Sequence, residues 1–507
     1  MKKATKLMSL LLAMLMLAST LTACSDTAEP ADTTDAAAAE TTAAPETTEA
    51  ETTIAPELLD ELPTDVKFNN YEFVILSHLY PEGSVAWKVE DIFTEAENGE
   101  RINDAVYKRN LLISERFGAT VKQALIDNAP QEILKKTVQA GDDSYALIQC
   151  SSTRQSQLVT GGFLSRMDNV KYINFDKAWW DSTGIDTFRI AGKVHFASGS
   201  GQLNNFKATW AVFFNKKLVT DANLPDMYEI VRQNKWTLDN LKTYGKAIAK
   251  DVNGDGTMEW GKDVFGVGLQ RDVVQPLVLG TGARILTVKN DGTYTLSMGD
   301  ANFMNAMEKT WKFINEDNNY IINASKYSSM TNLWVEFRKL FAEDQMGFYM
   351  AALSAITQVG PIMKSDFGIL PMPHVNPEQE GFYSDVQYTA NHSVAIPKNA
   401  KNLDRTGLLT EAYQMYSHDT VRVAYYDHTL TYRTARDNES GEMLDLIFAH
   451  RNTDPALGYD NATKIGTTLL NAMSASSFTF ASDFASTKEA TVKKIDTMLE
   501  AVLKEDK

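Results

Sequence analysis

The sequence predicts an α/β protein built from two lobes, and three observations support this prediction. Strand-like and helix-like segments alternate along the chain, which is typical of α/β lobes with mainly parallel sheets. About 440 residues follow an acidic, Thr-rich N-terminal segment, and this is too long for one compact domain. No second linker and no fixed-period repeat interrupts those residues, so we expect the chain to pass between the lobes several times.

The predicted elements alternate in chain order. A helix from Ile102 to Phe117 has apolar residues at helical spacing and ends at Gly118, and a second helix runs from about Arg405 to Tyr416. Thr237 is the predicted N-cap of a further helix. The predicted strands are short apolar runs bounded by polar residues, Gly or Pro: Tyr71–Leu76, Tyr145–Cys150, Thr209–Phe214, Val264–Leu269, Phe367–Pro373 and Ser393–Lys398.

The N-terminus predicts export. Lys2, Lys3 and Lys6 precede an apolar run from Leu7 to about Leu17, which is too short to span a membrane. Small residues then lead to Cys24, and this order resembles the lipobox of bacterial lipoproteins. The resemblance implies that residues 1–23 are a signal peptide and that Cys24 carries a lipid. The alternative is an ordinary signal peptide with a chance cysteine.

Residues 24–65 predict a disordered tether. They are almost wholly Thr, Ala, Glu, Asp and Pro, with twelve acids and no Lys or Arg after Cys24. Such a composition cannot bury enough apolar surface to offset its conformational entropy. These acids carry most of the formal net charge of −17, and no basic stripe of the kind that binds nucleic acid is visible. The other cysteine, Cys150, ends an apolar run and is expected to be a small buried hydrophobe.

Several segments, in a shared order, resemble the family of extracellular solute-binding proteins that includes sugar-binding lipoproteins. The sequence ATWAVFFNKKLV resembles the family's crossing between lobes, and KWTLDNLKTYGKAI resembles its P-x-T-W-D-E helix start. DQMGFYMA is similar to its G-x-x-A-M segment, while FGILPMP and HSVAIPKNAKN are similar to its late strand pair. These segments occupy residues 208–219, 235–248, 344–351, 367–373 and 392–402.

The resemblance implies a two-lobe periplasmic-binding-protein-like (type II) fold with a hinge and an interlobe ligand cleft. Lobe 1 would comprise residues 66–205 plus 348–390, and lobe 2 residues 206–347 plus 391–507. The implied function is capture of a small polar solute, first of all a carbohydrate, for the permease subunits of an ABC importer, without catalysis. The protein would be a monomer on the outer face of the cell membrane.

Candidate ligand-binding residues are those that follow a strand or lie at a predicted crossing between lobes, where an α/β cleft binds its ligand. For any single aromatic residue, a place in the core is the commoner alternative. The Trp179-Trp180-Asp181 cluster is either a stacking platform or a wedge between helices. The candidates are Ser77, His78, Tyr80, Ser151, Ser152, Arg154, Gln202, Asn204, Asn205, Trp210, Gln270, Arg271, Tyr349, Gln387 and Tyr388.

The segment DVNGDGTME matches the opening of an EF-hand-type calcium loop, with oxygen ligands at alternate positions and glycine at position six. Lys262 stands at position twelve, where the acid is expected, and Asp263 follows one residue late. The alternative is an Asx-Gly turn without a metal. The predicted ligands of a structural Ca²⁺ are Asp251, Asn253, Asp255, Thr257, Glu259 and Asp263.

Two other classes of function remain open at this stage. A secreted two-carboxylate glycosidase fits the size and the aromatic content, and a cell-surface scaffold or adhesin fits the tether. The sequence contains no HExxH zinc motif and no G-x-S-x-G elbow, and the seven histidines are scattered singly. GTMEWGK imitates a phosphate-binding loop, but Asp263 stands where Ser or Thr would bind magnesium.

Overall fold

The computed structural model describes residues 61–80, 82–127, 129–431 and 439–504. The signal peptide, Cys24 and most of the predicted tether lie outside these residues. The strands are β1 (Tyr71–Leu79), β2 (Ala119–Asp127), β3 (Leu147–Ser151), β4 (Trp210–Asn215), β5 (Phe265–Leu269), β6 (Leu286–Val288), β7 (Tyr294–Leu296), β8 (Ile321–Asn323), β9 (Met346–Ala352), β10 (Phe367–Leu370), β11 (Ser384–Asp385), β12 (His392–Ala395) and β13 (Arg451–Asn452).

Helices account for much of the rest of the described chain, together with short 3₁₀ turns such as Glu82–Trp87 and Leu353–Ala355. The α-helices are α1 (Arg101–Phe117), α2 (Pro130–Gln139), α3 (Ser152–Thr160), α4 (Ser182–Phe188), α5 (Leu203–Lys207), α6 (Lys216–Asp221), α7 (Met227–Arg232), α8 (Leu238–Ile248), α9 (Val274–Leu279), α10 (Ala301–Asn315), α11 (Leu333–Ala342), α12 (Ile356–Val359), α13 (Leu403–Asp419), α14 (Val421–Thr431), α15 (Glu439–Ala449), α16 (Pro455–Gly458), α17 (Asp460–Thr463), α18 (Ile465–Ser474) and α19 (Phe480–Leu503).

The predicted helix ends are confirmed by their capping. Gly118 adopts the left-handed conformation that ends α1, with φ 60°, and its N–H bonds the Ser114 carbonyl. Thr237 caps α8, because its hydroxyl accepts a 3.1 Å hydrogen bond from the Asn240 N–H. Of the described helices, none is both long and apolar enough to cross a membrane.

Two mixed sheets organise the fold. The first has the strand order β12-β3-β1-β2, and the second has the order β10-β4-β9-β5-β8. In the first sheet, β12 runs antiparallel to β3. In the second, β4 runs antiparallel to both β9 and β10. The prediction of an α/β fold is confirmed, but antiparallel strands form a larger part of both sheets than the sequence pattern indicated.

Strand pairing corrects the predicted lobe boundaries. Most of strand β9 and all of strand β10 lie within 348–390, which was assigned to lobe 1, yet both pair within the second sheet beside β4. Strand β12 lies within 391–507, which was assigned to lobe 2, yet it pairs with β3 of the first sheet. The physical reason is that each of these buried strands forms its backbone hydrogen bonds with strands that are distant in the sequence. Such long-range pairing cannot be predicted from the local sequence.

In the described residues, two chain segments connect strands of the two sheets and a third connects helices that pack beside them. Hydrogen bonds join these three segments side by side. The first leads from α5 into β4, the second contains β11, and the third contains β13. Thr209 forms an isolated bridge with Val386, and the Gln387 N–H bonds the Ala208 carbonyl at 2.9 Å. Strands β11 and β13 pair in parallel through Asp385 and Asn452. Three adjacent crossings of this kind form a hinge between two sheets.

The start of the described chain also differs from prediction. The tether was expected to continue to Asp65, but Leu62 is buried in the core that covers the first sheet. The Arg116 guanidinium donates a 2.6 Å hydrogen bond to the Leu62 carbonyl, and Lys177 pairs with Glu61 at 3.0 Å. Burial of Leu62, together with these two polar contacts, attaches the last residues of the acidic segment to the domain.

Candidate functional site

A cavity of about 230 Å³ lies at the carboxyl ends of strands from both sheets. The 3₁₀ turn Glu82–Trp87 reaches it from β1, the residues after β5 and β9 reach it from the second sheet, and the hinge segment after β11 closes it. Such a crevice is where α/β sheets bind ligands. Its lining residues are Ser84, Ala86, Trp87, Gln270, Arg271, Asp272, Trp334, Arg338, Ser354, Gln387, Tyr388, Thr389 and Leu470.

The cavity combines aromatic rings with planar polar groups. Trp87 is half-buried in the turn after β1, and Trp334 is 37 % exposed at the start of α11. The side-chain amides of Gln270 and Gln387 belong to the same lining, with the hydroxyl of Ser354. Flat apolar faces beside hydrogen-bonding groups suit a small solute that is apolar on one face and polar at its edges, as a saccharide is.

Hydrogen bonds behind the lining fix its amides. Gln270 Nε2 donates to the Tyr349 hydroxyl at 2.6 Å, and Gln387 Nε2 donates to Asp272 Oδ2 at 2.5 Å. Burial raises the pKa of both Tyr349 and Asp272. Tyr349 itself is fully buried among the rings of Phe213, Phe337 and Phe341, so it positions Gln270 from behind the cavity wall.

Two guanidinium groups lie in the same lining. Arg271 is exposed at the end of β5, whereas the Arg338 side chain is buried on α11, with 7 % of the residue exposed. Arg338 Nη1 donates to Gln358 Oε1 at 2.5 Å and to the Trp334 carbonyl at 3.3 Å, and Arg338 Nε is buried without a hydrogen-bond partner. The only carboxylate in the described lining is that of Asp272.

A second polar cluster lies at the carboxyl edge of the first sheet. His78 Nδ1 bonds the Arg154 guanidinium at 2.9 Å, and the Tyr80 hydroxyl bonds His392 Nε2 at 2.9 Å. Burial, together with the positive charge of Arg154, lowers the pKa of His78 to about 4 and that of His392 to about 3. Both rings are therefore neutral at pH 7. His392 was missed by the sequence analysis, because its place beside β3 depends on an antiparallel pairing.

The other candidates at this edge are less accessible. Ser151 and Ser152 are buried at the end of β3, and the Ser151 hydroxyl is 3.1 Å from the Thr153 hydroxyl. Ser77 is fully buried, and its hydroxyl accepts a 2.9 Å hydrogen bond from Gln123 Nε2. None of these first-sheet candidates is among the residues that line the 230 Å³ cavity.

Candidates at the first crossing mostly support the hinge. Gln202 is fully buried and accepts a 2.9 Å hydrogen bond from Gln414 Nε2. Asn205 Nδ2 donates to Asp181 Oδ2 at 2.8 Å, and Trp210 is fully buried within the core. Asn204 lies nearest to the cavity, because its Nδ2 donates a 2.8 Å hydrogen bond to the carbonyl of the cavity residue Trp87.

The Trp179-Trp180 pair is a wedge and not an open platform. Both side chains are buried, and their indole N–H groups donate to the two oxygens of Glu411 at 2.8 and 2.9 Å. Burial raises the pKa of this carboxyl group to about 7. The pair therefore joins the segment before α4 to α13.

Four of the predicted candidates line the cavity, Gln270, Arg271, Gln387 and Tyr388, and their contact with a ligand stays a prediction. Trp87, Asp272, Trp334 and Arg338 also line the cavity and were not predicted from the sequence. Asp272 could have been predicted, because it directly follows the candidates Gln270 and Arg271 after a predicted strand. Trp334 and Arg338 are one helical turn apart on α11. The local sequence does not distinguish such cavity-lining positions from the core positions of an amphipathic helix.

The loop that begins at Asp251 is internally hydrogen bonded. Asp251 accepts the N–H groups of Gly254 and Gly256, both at 2.7 Å, and Asp255 accepts the Thr257 N–H at 2.9 Å. The buried Asp263 carboxylate closes the loop by accepting the N–H groups of Val252 and Glu259. Each of these carboxylates could still offer lone pairs to a cation, and calcium binding stays a prediction.

Similarity to known proteins lies in the fold. The GacH receptor of Streptomyces glaucescens, solved unliganded and with acarbose, superposes with a TM-score of 0.54 at 15% identity over 84% of this chain and 99% of that chain. An ABC substrate-binding protein from Listeria monocytogenes in complex with cycloalternan gives 0.52 at 11% identity over 85% and 98%. A solute-binding protein from Thermotoga lettingae bound to α-D-tagatose gives 0.52 at 13% identity over 84% and 100%.

These similarities show that the chain has the two-lobe α/β fold of the ABC transporter solute-binding proteins. No protein-family profile and no curated protein sequence matches the chain. The predicted two-lobe, periplasmic-binding-protein-like fold is confirmed.

Proposed function

We propose that this chain is the extracytoplasmic solute-binding component of an ABC importer and that it captures a saccharide without changing it chemically. The observation that carries the proposal is the cavity at the hinge, where the rings of Trp87 and Trp334 face a space lined by amides and hydroxyls. Rings of this kind cover the apolar faces of a sugar, while amide and hydroxyl groups bond its hydroxyls.

The hinge supports capture by closure. Parts of the cavity wall come from the turn after β1, and others from the ends of β5 and β9, so a bound solute contacts elements of both sheets. Three hydrogen-bonded crossings near Thr209, Val386 and Asn452 are the segments about which the two sheets would rotate. A ligand that contacts both sides would favour the closed arrangement by its differential affinity.

The presence of a single carboxylate in the described cavity lining favours binding over glycoside hydrolysis. A two-carboxylate glycosidase needs two acids that flank the scissile bond. Asp272 is the sole acid among the described residues that line this cavity, and it is already bonded to Gln387. The known structures that share the fold are described as binding proteins or a receptor.

The remaining parts of the proposal concern location and partners. Cys24, after a signal peptide of residues 1–23, would carry the lipid, and the acidic segment would serve as the spacer from the outer face of the cell membrane. The protein would act as a monomer and deliver its solute to the permease subunits of an ABC importer. Palmitate labelling of the expressed chain and of Cys24→Ser tests the anchor.

The proposed function is tested by a thermal-unfolding screen of the full chain, held in a detergent without a sugar headgroup, against oligosaccharides, monosaccharides and peptides. A ligand at about 1,000 times its dissociation constant stabilises the native state by about 4.1 kcal/mol. We expect a saturable rise in the unfolding midpoint with one class of saccharide. A response to peptides alone, or to no solute, would contradict the proposal.

A further inference from the structure

The cavity wall has an excess of positive charge. It contains the guanidinium groups of Arg271 and Arg338 and one carboxylate, that of Asp272, so the formal charge of the lining is +2 − 1 = +1. Asp272 is also partly occupied, because its Oδ2 accepts a 2.5 Å hydrogen bond from Gln387 Nε2. Arg271 is close enough to stabilise the charged form of Asp272, but the two do not form an ion pair.

Arg338 is a buried cation of the described lining without a neighbouring carboxylate. It is 93 % buried, no carboxylate of the described residues lies within ion-pair distance, and its Nε has no hydrogen-bond partner. Its Nη1 bonds only neutral oxygens, those of Gln358 and of the Trp334 carbonyl. Removing a guanidinium from water without a counter-charge is costly, so buried arginines are normally paired with an anion.

Those two neutral contacts orient Arg338, and the guanidinium also interacts with the buried Tyr349 hydroxyl. Both come from one edge of the guanidinium, at Nη1, and they hold the group beside Trp334, which is one turn earlier on α11 and lines the same cavity. A planar guanidinium held in one orientation can bind the two oxygens of a carboxylate, sulfate or phosphate group in parallel. Arg271, exposed in the same lining, provides a second positive charge.

We infer that the solute is an acidic saccharide, whose anionic group lies between Arg271 and Arg338 while its sugar rings pack on Trp334 and Trp87. This inference rests on the proposed function, since it assigns the chemical class of the saccharide that the same cavity captures. The anionic group is a ring carboxylate, as in a uronate, or a sulfate or phosphate ester. A neutral saccharide would leave the buried guanidinium of Arg338 without a counter-charge.

The test is isothermal titration calorimetry of the full chain, held in a detergent whose headgroup is not a sugar, with four probes of matched length. These are a neutral oligosaccharide, the corresponding uronate oligosaccharide, a sulfated oligosaccharide and a phosphorylated one. We expect at least one anionic probe to bind about tenfold or more tightly than the neutral probe, because charge-assisted hydrogen bonds are stronger than neutral ones. The arm that binds best identifies the anionic group, and its affinity should fall as salt rises.

Variants separate the charge from the fold. Arg271→Gln removes an exposed charge from the cavity lining and should weaken the anionic probe about tenfold more than it weakens the neutral probe. Arg338→Gln should have the larger effect. Circular dichroism checks that Arg338→Gln folds. If Arg338→Gln does not fold, the test rests on Arg271→Gln. The matched control is Arg101→Gln, an exposed arginine at the start of α1, which should change neither affinity.

The outcomes distinguish the two proposals. Binding of the neutral probe alone, or equal binding of neutral and anionic probes that Arg271→Gln does not alter, would overturn this inference and leave saccharide capture in place. Binding of none of the four probes would overturn this inference, and saccharide capture would fall with it if the thermal screen also showed no response.

Discussion

Gln387 Nε2 donates a hydrogen bond of 2.5 Å to Asp272 Oδ2 and thereby connects the hinge to the carboxyl end of β5. The backbone N–H of Gln387 also donates a 2.9 Å hydrogen bond to the carbonyl of Ala208, which lies in the crossing segment between α5 and β4. One residue therefore joins two crossings and the cavity wall. A change at this position should affect ligand binding and stability together.

Replacement of Gln387 by Ala removes the donor to Asp272. We expect a loss of about 1–2 kcal/mol in the free energy of unfolding and a loss of about tenfold in saccharide affinity, because the half-buried Asp272 carboxylate loses a hydrogen-bond donor and the cavity loses an amide. Urea denaturation and titration calorimetry measure the two effects. The matched control is Gln379→Ala, since Gln379 Nε2 bonds the Gly280 and Gly381 carbonyls outside the cavity. It should lose stability and keep its affinity, and equal losses of affinity in the two variants would contradict this account.

Replacement of Trp334 by Ala removes an aromatic face from the cavity. Because this side chain is 37 % exposed, the unfolding free energy should change by less than about 1 kcal/mol. The affinity should fall about tenfold, which corresponds to about 1.4 kcal/mol. Val335 is the neighbouring residue, 36 % exposed and outside the cavity, so Val335→Ala is the control and should bind normally. Unchanged affinity in Trp334→Ala would exclude this tryptophan from the ligand contact.

Protonation of the buried histidines should destabilise the protein in acid. Burial lowers the pKa of His392 to about 3, against 6.5 for an exposed histidine. Between these values the unfolded chain binds the proton and the native state does not, so stability is full above pH 6.5 and is lost as the pH falls. At pH 4.5 the loss from this residue approaches about 2.7 kcal/mol.

Unfolding midpoints between pH 7 and pH 4.5 measure this loss. The variant His392→Gln should show a shallower decline than the natural chain, because its side chain does not take up a proton. The control His450→Gln alters an exposed histidine and should leave the slope as it is. An identical slope in all three proteins would show that His392 does not carry the acid sensitivity.

The six strands and three helices named from the sequence could be predicted, because apolar periodicity and caps such as Thr237 and Gly118 are local signals. Sheet membership could not be predicted, since the pairing of β12 with β3 joins residues that are far apart in the chain. The same dependence on long-range packing explains why only some of the cavity residues could be predicted. Gln270 and Arg271 follow a recognisable strand, whereas Trp334 and Arg338 reach the cavity only through the packing of α11.

Calcium binding by the loop from Asp251 to Asp263 can be measured directly. We expect Ca²⁺ at 100 times its dissociation constant to raise the free energy of unfolding by about 2.7 kcal/mol relative to the chelated protein. Asp251→Asn should reduce this gain, because Asp251 occupies the first ligand position of the loop. No response to Ca²⁺ in the natural chain would favour the metal-free turn in which Asp251 bonds Gly254 and Gly256.

The central claim is that the cavity between the two sheets captures a saccharide and leaves it intact. Titration calorimetry of the full chain with the saccharide selected by the thermal screen, followed by chromatography of the recovered ligand, tests this claim most directly. We predict one binding site per chain, weakened in Trp334→Ala, and a ligand recovered without change in length. Recovery of shortened saccharide, or binding that Trp334→Ala and Gln387→Ala leave unchanged, would contradict it.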